Sequence, residues 1–131
     1  MTFEIPGPPI PKGRPRYNRQ TGTWYTPKRT TDYEEHVAWC ALAAGVRLEP
    51  GTHYDLEIDL YLSSYNRDRD NMLKCIQDGL QRMGDGWDDR HVWGLVLRTV
   101  AVKDASQEKA VVTLTARPRV LVGGKSRTEE S

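Results

Sequence analysis

The nine residues Tyr54–Leu62, YDLEIDLYL, alternate without a break. Tyr54, Leu56, Ile58, Leu60 and Leu62 fall on one side of an extended chain, and Asp55, Glu57, Asp59 and Tyr61 on the other. A strand of this kind has one face to bury, so another layer must cover it. Two stretches have the periodicity to do so. Tyr33, Val37, Cys40, Ala41 and Ala44 recur at helical spacing up to Gly45, and Thr31 with Glu34 has the spacing of a capping box. Leu73, Ile76, Leu80 and Met83 repeat at intervals of three and four before Gly84, which predicts a second amphipathic helix beginning near Asn71. Phe3 and Ile5 share one face of an opening strand, after which prolines at positions 6, 8, 9, 11 and 15 forbid helix. HVWGLVLRTVAVK and AVVTLTARP are apolar, β-branched runs joined by the polar DASQEK, which predicts two more strands in a hairpin. The expected fold class is α+β: a single compact domain over residues 1–118, with a mixed β-sheet packed with two main helices. Residues 119–131, ending in the apolar-free GGKSRTEES, are expected to form a flexible tail.

At 131 residues the chain suits one core and leaves no room for a separate regulatory module. Its 37% hydrophobic and 28% charged residues are ordinary for a soluble protein. There is no run of about 18 apolar residues, so no membrane partner is expected. The N-terminal stretch carries no secretion signal, which predicts an intracellular, cytoplasmic protein. Cys40 and Cys75 have no C-x-x-C spacing and read as reduced core thiols.

The formal net charge of +1 conceals an uneven distribution. Lys12, Arg14, Arg16, Arg19, Lys28 and Arg29 follow one another with no acidic residue between them, interleaved with Tyr17, Trp24 and Tyr25. Cations track phosphates and aromatic rings stack on exposed bases, so this segment is a candidate DNA-binding surface. Gly22 predicts a turn that would fold it into a small ribbon. The acidic residues concentrate later. RDRDNMLKCIQDGLQRMGDGWDDRHV, from Arg67 to Val92, holds six aspartates among five basic side chains.

Hard divalent cations need oxygen ligands, and phosphodiester hydrolysis needs carboxylates held close despite their repulsion. Asp68 and Asp70, at i and i+2, would point the same way from the end of a strand. Lys74 and Asp78 would continue along one face of the following helix, and Asp88 and Asp89 could return from a Gly-rich loop. From spacing alone the plainer account is the stronger one: Asp68 or Asp70 caps a helix, Lys74 and Asp78 pair on its surface, and GDGWDD is a turn. An EF-hand is excluded, because Met72, Leu73 and Gly79 fall where a ligand, the glycine and the terminal glutamate belong. A nuclease pattern with an acid two residues before a lysine is also absent, since none of the six lysines has one.

DRDNMLKCIQDGL followed by WDDRHV resembles the D-x-D-N-x-x-K-x-x-x-D-x-L…D-D-x-x-V signature of the RusA family of Holliday junction resolvases. GPPIPKGRPR and YTPKRTTDYEEHV are similar to that family's N-terminal segment, so the likeness runs in order from residue 1 to about 118. The resemblance implies a magnesium-dependent endonuclease, with manganese as an alternative ion. It would act as a homodimer that nicks two opposing strands of a four-way DNA junction in recombination and repair. It also implies Asp68, Asp70 and Asp89 as metal-binding catalytic acids and Lys74 as the catalytic lysine, with Asp78 and Asn71 in support. Asp88 stays open as an alternative ligand to Asp89. Arg67 and Arg69, flanking Asp68, join the candidate DNA contacts.

His36, His53 and His91 are dispersed and read as surface or structural residues, although His91 follows Asp89 closely. Trp39 and Trp93 read as packing residues. The strand HVWGLVL, apolar on both faces, is the candidate dimer surface. Two other functions remain to be weighed: a non-catalytic DNA-binding module, and a nuclease of flaps or other branched DNA.

Overall fold

The computed structural model describes residues 1–84 and 86–118. In chain order its elements are β1 (Thr2–Pro6), β2 (Arg16–Asn18), β3 (Thr23–Tyr25), α1 (Lys28–Ala43), β4 (Tyr54–Leu62), α2 (Arg69–Gln81), β5 (Val92–Ala101) and β6 (Lys109–Ala116). Short 3-10 turns occupy Asp89–His91 and Ala105–Gln107. The expected α+β class and mixed sheet are present. The main sheet has the order β1-β6-β4-β5, with β6 antiparallel to both neighbours and β4 parallel to β5. β2 and β3 form a separate two-stranded ribbon.

β4 is paired on both edges, and its alternation is reproduced residue by residue in its burial. Leu56, Ile58 and Leu60 are fully buried, beside Ile5 of β1 and Val112 of β6 on the same side of the sheet. Each such side chain contributes about 1.5–3 kcal/mol by leaving water. Val37 and Ala41 of α1 and Met72, Ile76 and Leu80 of α2 complete this core. The helices meet closely at Gly79, where an added Cβ would lie 2.6 Å from Cβ of Val37 and 2.8 Å from the Glu34 carbonyl. The opposite face of the sheet carries charge: Arg98 bridges Glu57 and Asp59, and Arg117 pairs with Asp55.

Two expectations are corrected. β5 and β6 do not form a hairpin, because β4 lies between them. Parallel strands need a long crossover, and α2 supplies it from β4 to β5. The polar connection then carries the chain back across the end of β4, where Val102 N–H donates to the Leu62 carbonyl at 3.0 Å. Nor does α1 begin with a capping box at Thr31. It begins at Lys28 after Pro27, and the Thr31 hydroxyl donates to the Lys28 carbonyl. Glu34 is buried and accepts from Arg82 at 2.8 Å instead.

Cys75 is buried and its thiol is pushed up to about 12, chiefly by burial, whereas Cys40 is only partly buried. Trp39 is 70% exposed, so the packing expected of it is not realised. The expected tail lies outside the described residues.

Candidate active site

The crossover sets where the acids lie. α2 starts beyond the C-terminal ends of β4 and β5 and finishes near the start of β5. The loop leading into it is fixed by one buried carboxylate. Glu108, 4% exposed, accepts from Ser63 N at 2.7 Å, Ser63 Oγ at 2.6 Å and Arg67 Nη1 at 3.1 Å. Arg67 Nη2 also donates to the Pro9 carbonyl. Burial works against the Glu108 charge, but the Ser63 and Arg67 hydrogen bonds outweigh it and hold the carboxyl below its ordinary range. The phosphate contact expected of Arg67 meets a guanidinium turned inward onto this carboxylate.

Asp68 comes next and caps α2. Its Oδ1 accepts from Asn71 N at 3.2 Å and its Oδ2 from Asn71 Nδ2 at 2.6 Å. Asp70 lies in the first helical turn, exposed. The pair therefore does not sit at a strand end, as its i and i+2 spacing suggested, because β4 stops six residues before Asp68. It sits at a helix N-terminus, whose positive dipole end favours carboxylate charge. Lys74 follows one turn later, exposed, and Asp68, Asp70 and Lys74 have no ion-pair partner among the described residues. The surface pair expected between Lys74 and Asp78 is replaced by a contact between Asp78 and Lys12 at 2.5 Å. Lys12 N–H also donates to the Asn71 carbonyl at 2.9 Å, so the proline-rich segment is stitched to α2 at two levels.

At the far end of α2 the acids are held differently. Asp88 starts the 3-10 turn and accepts from Arg90 N, Nε and Nη2, the last at 2.6 Å. These bonds pull its carboxyl down to about 2. Asp89 is exposed, and among the described residues its carboxylate accepts only from the neutral amide of Gln81. His91 belongs to an aromatic cluster: its ring lies 6.0 Å from those of Trp87 and His53, and His53 stacks on Trp93 at 3.9 Å. Trp93 thus lies against the His53 ring yet is 47% exposed. Asp70 and Gln81 are separated by eleven helical steps, or roughly 16 Å of rise. One chain accordingly joins Asp68 to Asp70 but does not bring Asp89 to them, and among the described residues no three or more His, Cys, Asp or Glu side chains gather as metal ligands.

The basic segment is a ribbon, as Gly22 indicated; its φ of 69° is that of a turn residue. Arg14, Arg16, Arg19, Arg29 and Arg69 are exposed and have no ion-pair partner among the described residues. Lys28 pairs with Asp32 at 2.7 Å.

A family model described as Endodeoxyribonuclease RusA matches residues 6–117. The chain belongs to the RusA family of endodeoxyribonucleases. The span matched in this RusA-family chain takes in the ribbon, both helices and every candidate acid. A comparison with curated proteins gave no match. The candidate acids are also held by residues that sequence reasoning missed. Glu108 and Ser63 clamp the loop before Asp68, yet Glu108 appears in the sequence only as one polar residue in a polar connection. Gln81, the partner of Asp89, stands out no better.

Proposed function

We propose that this endodeoxyribonuclease resolves four-way DNA junctions as a magnesium-dependent homodimer, making paired symmetric nicks. The observation that carries the reading is the Asp68–Asp70 pair, exposed at the start of α2 on a clamped loop beside Lys74, which has no ion-pair partner among the described residues. An all-oxygen donor set fits a hard ion such as Mg2+, or Mn2+ as an alternative. Asp68 and Asp70 would hold it, since a carboxylate engaged by Asn71 keeps free lone pairs. Bound there, a divalent cation supplies Lewis-acid polarisation of the scissile phosphate and an activated water. Lys74 meets the negative charge that builds on the phosphate. Asn71 orients Asp68, and the arginines of the ribbon hold the strand.

Asp89 supports the homodimer. β5 is an edge strand with Trp93, Leu95 and Val96 exposed, the sequence already singled out as a dimer surface. If two copies pair antiparallel along β5, the start of one strand lies beside the end of the other. Asp89 lies three residues before the start of β5, while Asp68 and Asp70 lie beyond the C-terminal ends of β4 and β5. Such pairing would carry each Asp89 toward the other copy's acid pair. Asp89 is favoured over Asp88 as the ligand because Asp88 is committed to Arg90.

The test incubates the protein with a synthetic four-way junction, matched duplex and flap DNA, with and without Mg2+, alongside Asp70→Asn. Paired nicks confined to the junction, requiring both Mg2+ and Asp70, support the reading. Binding without cleavage in any divalent metal would leave a recognition module, and equal cutting of flaps would withdraw the junction specificity.

A further inference from the structure

The ribbon of β2 and β3 has no core. Among the described residues its strands pair only with each other, and Arg16, Tyr17, Thr23, Trp24 and Tyr25 are all exposed. Tyr17 stands directly opposite Trp24, with ring centroids 5.2 Å apart in an edge-to-face arrangement. Arg16 stands opposite Tyr25 on the other face. An isolated two-stranded hairpin is marginal in water, and aromatic rings ordinarily stabilise one by burial against a domain. Here Trp24 is 70% exposed. Folding therefore gives no account of these rings.

The base of the ribbon, by contrast, is fixed. Where the chain enters, Gly13 N–H donates to Oγ1 of the buried Thr30 at 2.9 Å, and Lys12 N–H to the Asn71 carbonyl. Gly13 also fits tightly under the start of α1, since a Cβ there would lie 3.0 Å from Pro27 Cγ. At the tip, Asn18 accepts from Gln20 N and Gly22 N and closes the turn. The ribbon thus projects from a rigid base that touches Asn71, the residue after Asp70. Arg14, Arg16 and Arg19 flank these rings along the chain and are exposed, and the whole segment lacks an acidic residue.

Such a surface fits a polyanion with flat, accessible faces. Bases inside a duplex are already stacked on both sides, whereas an opened branch point leaves base pairs with a free face on which an aromatic ring can stack. We propose that Trp24, backed by Tyr17, stacks on such a base at the branch point, making the ribbon the wedge by which the protein distinguishes branched from duplex DNA. This rests on the junction reading above and adds the residue that senses the branch.

The experiment compares wild type, Trp24→Ala and Trp24→Phe as full-length proteins without divalent metal, on a junction and a duplex. The junction carries 2-aminopurine at the branch-point base. Trp24→Ala should lower the junction-to-duplex affinity ratio about tenfold or more and relieve 2-aminopurine quenching, and Trp24→Phe should recover part of both. A Trp24→Ala protein that discriminates and quenches like wild type would overturn the wedge while leaving the junction reading intact. A wild type that binds junction and duplex alike would overturn both. A changed oligomeric state in Trp24→Ala, with quenching preserved, would assign the ribbon to a second copy and overturn the wedge.

Discussion

The two ends of α2 carry aspartate pairs of similar sequence and opposite construction. At the start, Asp68 and Asp70 are exposed without a cationic partner among the described residues, and the loop before them is tied to a buried glutamate. At the finish, Asp88 is spent on Arg90 and leaves Asp89 with one neutral partner. The first pair is open to the cation proposed above, whereas among the described residues the second holds one carboxylate against an arginine and the other against a neutral amide. A chain can carry a run of acids in order and still divide them between the two ends of a helix.

The largest effect that can test this contrast is on cleavage. Asp70→Asn and Asp89→Asn should each lower junction cleavage by about 10³-fold or more while binding persists, because each would remove a charge from the cation's surroundings. Asp88→Asn should retain most of the rate. An inactive Asp88→Asn beside an active Asp89→Asn would reverse the reading of the far end.

Next is the clamp at the near end. Arg67→Ala leaves the Glu108 carboxylate buried with only Ser63, which should cost about 3 kcal/mol of stability in denaturant unfolding. Activity of the folded fraction should fall about 10- to 100-fold, as for other residues that orient metal ligands. Adding Glu108→Gln removes the unpaired charge and should recover much of the stability. If Arg67→Ala unfolds at the wild-type midpoint, the clamp does not hold the loop.

The same carboxylate predicts a pH dependence. Its folded-state pKa lies below the ordinary 4.5, so its contribution is present above that value and is lost as pH falls through the depressed one. Acid unfolding of wild type should therefore be steeper below about pH 4.5 than that of Glu108→Gln. Parallel curves would show that Glu108 gains nothing from Ser63 and Arg67.

The smallest effect concerns the ribbon. Arg14→Ala with Arg16→Ala should reduce the salt slope of DNA binding by roughly two, one for each phosphate that an arginine no longer neutralises. An unchanged slope would remove these arginines from the DNA surface.

How much of this was legible in the sequence follows the range of the interactions. β4, the body of α2 and the Gly22 turn rest on periodicity and local conformation, and their sequence reading stands. The strand partners of β5 and β6 depend on which edges of β4 are free, and adjacency in sequence suggested a hairpin instead. Asp78 illustrates the same limit at the site: Lys74, four residues away, was the local candidate, but Lys12 reaches it from 66 positions earlier. Asp68 and Asp70 were legible as acids that belong together. Their support by Glu108, forty residues on, was not.

In the proposed homodimer Asp68 and Asp70 of one copy work with Asp89 of the other. Mixing Asp70→Asn with Asp89→Asn, after dissociation and reassociation, tests it on a four-way junction in Mg2+. In a mixed dimer one site would receive both substitutions and the other none. The two inactive proteins together should recover single nicks, at about a quarter of the wild-type site number for random pairing. A mixture that forms mixed dimers and remains as inactive as either parent would contradict it.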